Sequence, residues 1–171
     1  NVLQAPVLTQ GDKIVLTPTW HVLHQYKGHM GATLLGTSAA YSYCGVKDVP
    51  DYNRSLRGIE AKEDVIVPGL SVSASEKDAD SKSGAKKQYL VTVTNVDAES
   101  SKEVEISFAN LDGSIKSANA SIVTGEKYDT INSFENPEVV TEKTLAVKIT
   151  GSNTVCISLP AHSVAAVTVL A

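Results

Sequence analysis

The hydrophobic pattern changes period after the first thirty residues. Val2, Leu3, Ala5, Val7 and Leu8 are apolar from the outset, the turn Gln10-Gly11-Asp12 follows, and Ile14-Val15-Leu16 predicts a short strand. A helix is expected from Thr17, with Pro18 at its first helical position, where a missing N–H costs nothing. It runs through Trp20, Val22, Leu23, Tyr26 and Lys27, and Gly28 and Gly31 supply a place to stop. Trp20, Leu23 and Tyr26 or Lys27 recur at helical spacing, which makes Trp20 a core-facing residue of the helix.

Beyond Gly31 no long amphipathic helix is expected. Short apolar and β-branched runs separated by turn residues mark a sandwich or barrel. The runs are Ala32 to Leu35, Leu70 to Ser75, Tyr89 to Val96, Val104 to Phe108 and Ser114 to Thr124. In the third, Tyr89, Val91 and Val93 share one face and Leu90, Thr92 and Thr94 the other. Leu145 to Ile149 and Thr154 to Leu159 read as a hairpin about Gly151-Ser152-Asn153, Pro160 ends the second strand, and Ser163 to Leu170 is a buried closing strand. Glu76 to Lys87 is nearly devoid of apolar residues and is expected to be a mobile loop, and Gly45 to Asp64 to wander irregularly over the surface.

Composition changes this picture little. A chain of 171 residues, 42% hydrophobic and with a net charge of −4, fits one globular domain. Both signs of charge are dispersed, so no basic stripe exists for nucleic acid. No apolar run approaches the roughly 20 residues that cross a bilayer, so no membrane partner is expected. The start, Asn1-Val2-Leu3-Gln4, lacks the character of a signal peptide and falls in mid-pattern, as in an excised domain or processed product. Cys44 and Cys156 have no metal or disulfide spacing, and Cys156, between Val155 and Ile157, reads as a small core hydrophobe.

Candidate chemistry is sparse. His21, His24 and His29 lie close together, but the segment offers no carboxylate at helical spacing to complete a metal site, and none is expected. A glycosidase needs paired carboxylates. Glu103 and Glu105 fall on a solvent face, and Glu135, beside Phe134 in a turn-rich loop, reads as structural. The usual nucleophile, P-loop and dinucleotide motifs are missing from the sequence. Asn53-Arg54-Ser55 and Asn119-Ala120-Ser121 match the glycosylation triplet, which often occurs by chance.

Several separate segments nevertheless carry a resemblance. Asn1 to Ala5, Val15-Leu16-Thr17-Pro18-Thr19-Trp20-His21-Val22, Tyr26-Lys27 and Gly31 to Leu35 are similar to the end of the catalytic barrel and the start of the C-terminal domain in glycoside hydrolase family 51 α-L-arabinofuranosidases. Asn110-Leu111-Asp112-Gly113, Ile122 to Glu126, Ile131-Asn132-Ser133-Phe134-Glu135-Asn136-Pro137 and Leu159-Pro160-Ala161-His162-Ser163-Val164 follow that family's order and spacing. The resemblance covers most of the chain apart from roughly residues 40 to 86.

The resemblance implies a jelly-roll-like antiparallel β-sandwich, residues 31–171, preceded by residues 1–30 as the tail of a (β/α)8 barrel with its last helix. It implies a parent enzyme that releases terminal α-L-arabinofuranosyl residues from plant cell-wall arabinan and arabinoxylan with retention, through two barrel glutamates that precede Asn1. The substrate-contacting glutamine of the family also lies upstream, so Gln4 does not take that role. By this reading the chain holds no catalytic residue, cofactor or metal, and its own role is structural. Its partner is the catalytic barrel of the same parent chain, with homo-oligomerisation a second contact. Trp20, Phe134 and Glu135 are the residues expected to face the barrel or another subunit, and the helix should bear an exposed apolar patch.

Two other readings use the same strands. A carbohydrate-binding module would need exposed aromatics, and only Tyr41, Tyr43 and Tyr52 are loosely clustered. An immunoglobulin-type interaction domain fits the strand count but not the opening helix.

Overall fold

Runs with apolar residues on alternate positions become strands here, and the two that lie side by side at residues 87–95 and 163–170 are apolar on both faces. The computed structural model describes residues 5–50, 56–58, 60, 62–111 and 113–171. In chain order it forms strands β1 (Val7–Gln10) and β2 (Lys13–Leu16), helix α1 (Pro18–Tyr26), then β3 (Thr33–Leu35), β4 (Tyr43–Pro50), β5 (Lys62–Pro68), β6 (Leu70–Asp78) and β7 (Lys87–Asn95). These are followed by β8 (Lys102–Ser107), β9 (Ser117–Thr124), β10 (Glu142–Leu145), β11 (Val147–Ile149), β12 (Thr154–Leu159) and β13 (Ser163–Leu170). Among the described residues no helix is long and apolar enough to cross a membrane.

Two antiparallel sheets form the sandwich: β10-β9-β13-β7-β6-β3, and β11-β12-β8. β13 is central, paired along its whole length with β7 on one side and β9 on the other. Val91, Val93, Ile122, Val167 and Val169 of the large sheet meet Val155, Ile157 and Leu159 of β12 in the core. Leu90, Val123 and Ala166 are also buried, but strand alternation puts them on the opposite, outer face of the large sheet. That second buried face explains why β7 and β13 read as nearly continuous apolar runs.

Four expectations need correction. Leu145 to Ile149 is not one strand: Leu145 ends β10 opposite Ala120, while Val147 begins β11 opposite Ile157. The chain changes sheets at Ala146, and both Leu145 and Val147 pack on the core. A strand that turns a sandwich corner keeps the alternation of one that continues straight. Glu76 to Lys87 is not loop throughout: β6 runs on to Asp78 and β7 begins at Lys87, so the connection narrows to residues 79–86, and the Lys87–Asp78 ion pair at its base spans 3.0 Å. The intervening turn is held by the Asp80 carboxylate accepting from the Lys82 N–H at 2.8 Å.

Within Gly45 to Asp64, β4 and β5 form a hairpin apart from both sheets. β5 is largely exposed, and a strand wetted on both faces has no apolar alternation to reveal it. Gly45 is required there, since a Cβ would overlap the Val65 carbonyl. Cys156 is half-buried on the outer side of β12 between buried Val155 and Ile157, so alternation excludes it from the core. Gln4, Tyr52, the Asn53-Arg54-Ser55 triplet and Asp112 lie outside the described residues.

Candidate functional site

The long connection from β9 to β10 is tied to the first hairpin by one side chain. Asn132, 4% exposed, donates from Nδ2 to the Leu16 carbonyl at 2.7 Å and to the Val140 carbonyl at 2.8 Å. Its Oδ1 accepts from the Val140 N–H at 2.7 Å. Two turns shape the rest of the loop: Thr130 and Lys127 exchange hydrogen bonds, and the Ser133 N–H donates to the Asn136 carbonyl at 3.0 Å. Phe134 is half-buried and Glu135 exposed beside it. The Glu135 carboxyl is held below its ordinary range by its own backbone N–H and the Ser133 hydroxyl, with a smaller contribution from Lys13 on β2. Ile14, Ile131 and Val139 remain exposed on the hairpin and loop.

Helix α1 lies against the outer face of the large sheet, touching β9, β13 and β2. Its buried residues are His21 and Gln25, one turn apart, not the apolar row expected from the sequence. Trp20 is therefore not a core residue: it is half-buried, its ring stacked on His24 with centroids 5.1 Å apart. Leu23 is 54% exposed, and Met30 and Leu34, just beyond the helix, are 78% and 80% exposed. The physical reason is the chemistry of the sheet surface beneath, which presents hydroxyls. Gln25 Nε2 donates to Ser121 Oγ at 3.1 Å, and the His29 ring nitrogens meet Ser75 Oγ at 2.7 Å and Thr92 Oγ1 at 3.2 Å. A polar helix face satisfies those hydroxyls where an apolar one would orphan them. Of the expected apolar row Leu23 is exposed, whereas Trp20 and Tyr26 are half-buried.

The three histidines do not converge. His24 Nδ1 lies 2.9 Å from Glu142 Oε2 on edge strand β10, and His29 faces hydroxyls. Among the described residues no group of three or more His, Cys, Asp or Glu side chains is arranged to hold a metal ion. Burial pushes the His21 imidazole below its ordinary pKa, more than Glu142 offsets, and burial does the same to His29. Burial would raise the Glu142 carboxyl, but hydrogen bonds from Ser121 and His24 with the histidine charges outweigh it, so the net shift is downward.

Tyr41 and Tyr43 meet edge to face at 5.7 Å, both exposed. Sequence reasoning missed Asn132, Gln25, His29 and Glu142 as organising residues. The spacing of His21, Gln25 and His29, each four residues from the last, was the available signal of a polar face turned inward.

The family model described as the α-L-arabinofuranosidase C-terminal domain matches residues 1–163. An intracellular exo-α-L-arabinofuranosidase from Bacteroides ovatus is 32% identical over 164 residues, which is 96% of this chain and 27% of that protein. The GH51 arabinofuranosidase from Xanthomonas axonopodis pv. citri superposes with a TM-score of 0.77 at 30% identity, over 99% of this chain and 29% of that one. An α-L-arabinofuranosidase from Thermotoga maritima solved with arabinose shares the fold, with a TM-score of 0.69 at 22% identity, over 98% of this chain and 32% of that one. The chain thus spans little more than a quarter of the length of the curated relative it matches.

Proposed function

This chain belongs to the α-L-arabinofuranosidase C-terminal domain family, and from that premise we propose that it seats an accessory β-sandwich against the catalytic (β/α)8 barrel of a longer parent enzyme. The parent releases terminal α-L-arabinofuranosyl residues from plant cell-wall arabinan or arabinoxylan. Retaining hydrolysis uses two carboxyl groups about 5 Å apart on a rigid frame, and barrel strand ends provide such a frame. In this division residues 1–30 are the tail of the barrel and residues 31–171 the sandwich.

The observation that carries the reading is the Asn132 clamp, which joins the Phe134 loop to the β1–β2 hairpin as one surface. An exposed loop held by buried hydrogen bonds from a 4%-exposed side chain is preorganised for a partner. Exposed Ile14 and Ile131 on that surface, and Leu23 and Met30 on and just beyond helix α1, are apolar area for a barrel to cover. Trp20, Phe134 and Glu135 belong to this contact, and a second copy of the parent is a further occupant of the same exposed area.

Assaying a chromogenic α-L-arabinofuranoside with the full-length parent and with this chain alone tests the proposal. Turnover by the parent only is the expected result. Turnover by the chain alone would overturn it and make Glu135 the first carboxylate to replace. Activity of the parent toward a different glycoside only would overturn the substrate assignment while leaving the accessory role.

A further inference from the structure

Helix α1 lies over the outer face of the large sheet beside β7, β9, β10 and β13, and leaves an open cleft of about 460 Å³ there. Its volume lies within the range of small-molecule sites, about 300–1,000 Å³. Its walls carry neutral amides and hydroxyls from Gln25, Gln88, Asn119, Ser121, Thr144 and Thr168. Apolar surface, to which Leu90 and Ala166 contribute, makes up slightly more than half of the lining.

One of these groups is incompletely partnered. Gln25 is 5% exposed, and its Oε1 is the buried side-chain nitrogen or oxygen that lacks a hydrogen bond among the described residues. Rotating the amide does not remove the deficit, because Ser121 Oγ would then serve Oε1 and orphan Nε2. A buried polar atom left unpaired is unfavourable, and the residue that carries it lines the cleft.

The charges at the cleft select the ligand class. Glu142 is its carboxylate and is already engaged by His24 at 2.9 Å, so no set of free anionic ligands awaits a metal ion. Lys27 is the remaining full cation, whereas phosphate recognition calls for converging cationic forks. A purely apolar molecule would strip water from the amides and hydroxyls without replacing it. A polyol with hydroxyl edges and small C–H faces matches both kinds of wall. His24 lines the cleft, its ring held by stacking on Trp20 with the planes 9° apart.

We propose that the cleft between α1 and the outer sheet face binds a short neutral saccharide. It is separate from Tyr41 and Tyr43, which do not line it. The ligand class follows from the lining chemistry, and only the choice of an arabinofuranosyl probe rests on the proposed activity of the parent.

The test is an NMR titration of the 171-residue chain with α-1,5-linked arabinotriose and, separately, with xylotriose. Saturable shifts of the Gln25, Gln88 and Asn119 side-chain amides with arabinotriose are expected. The double variant Asn119→Ala, Thr144→Val should weaken binding about tenfold or more through two lost hydrogen bonds. Both residues are exposed, so the variant should keep the dispersed spectrum of the folded chain. Binding of xylotriose at the same amides, without arabinotriose, would keep the site and count against the arabinan assignment. Shifts confined to Tyr41 and Tyr43, shifts that survive the double variant unchanged, or no saturable shift with either sugar would overturn the proposal.

Discussion

Asn132 and Val140 exchange two hydrogen bonds, Oδ1 accepting the Val140 N–H at 2.7 Å and Nδ2 donating to the Val140 carbonyl at 2.8 Å. The same Nδ2 reaches the Leu16 carbonyl, so one buried amide closes the loop and anchors it to β2. Substituting Asn132→Ala strands three backbone groups. We expect a loss of roughly 2–4 kcal/mol, since each unpaired buried group costs about 1–3 kcal/mol and partial hydration recovers some of it. Urea denaturation measures this, and a change below experimental error would mean the loop is held by its turns instead.

Acid should weaken the packing of α1. His21 and His29 both have folded pKa values below the ordinary 6.5, chiefly through burial. A base with a depressed pKa binds fewer protons folded than unfolded, so its neutral form favours the fold above 6.5 and that contribution falls as pH drops through 6.5 toward the folded value. Denaturant midpoints measured between pH 7 and 5 should fall with pH. The double variant His21→Asn, His29→Asn should show a shallower fall over the same window. An identical slope in the variant would remove the assignment to these two rings.

The exposed apolar residues on and just beyond α1 should behave differently in the chain and in the parent. Replacing Leu23→Ser and Met30→Ser, at positions 54% and 78% exposed, should change the stability of this chain by less than about 0.5 kcal/mol each. In the full-length parent the same changes should lower the melting temperature by several degrees if a barrel covers them. Equal melting of both parent proteins would show that the patch is left open.

Phe134→Ala tests the loop as a contact. The half-buried ring should cost this chain little, while melting or subunit assembly of the parent should suffer visibly. Unchanged melting and oligomeric state in the parent would take Phe134 out of the interface.

The turn after β7 offers an electrostatic check. Asp97 accepts from the Glu99 and Ser100 N–H groups at 3.0 Å and from Lys102 Nζ at 3.1 Å, which lower its carboxyl to about 2. A carboxylate with a depressed pKa favours the fold above its unfolded value of 3.8 and loses that contribution as pH falls toward 2. Carbon-detected NMR should place its midpoint near 2, and Asp97→Asn should abolish this part of the acid transition. A midpoint at the unperturbed value of 3.8 would show that the turn is not formed in solution.

Local pattern by itself determined the strands whose faces differ in burial or are buried on both sides, such as β7 and β13, because residues two apart share an environment there. It also determined the start of α1, where Pro18 is admitted by the missing N–H rule. Tertiary structure alone decided what each element faces. The sheet change at Ala146 is set by Ala120 on one side and Ile157 on the other, and Trp20 lies outward because His21 and Gln25 take the side of the helix that meets the sheet. Gln25 turns inward for Ser121, 96 residues away, and Asn132 is a clamp because Leu16 lies 116 residues back. Periodicity reports which residues share a side, whereas the chemistry of the surface opposite decides which side is buried.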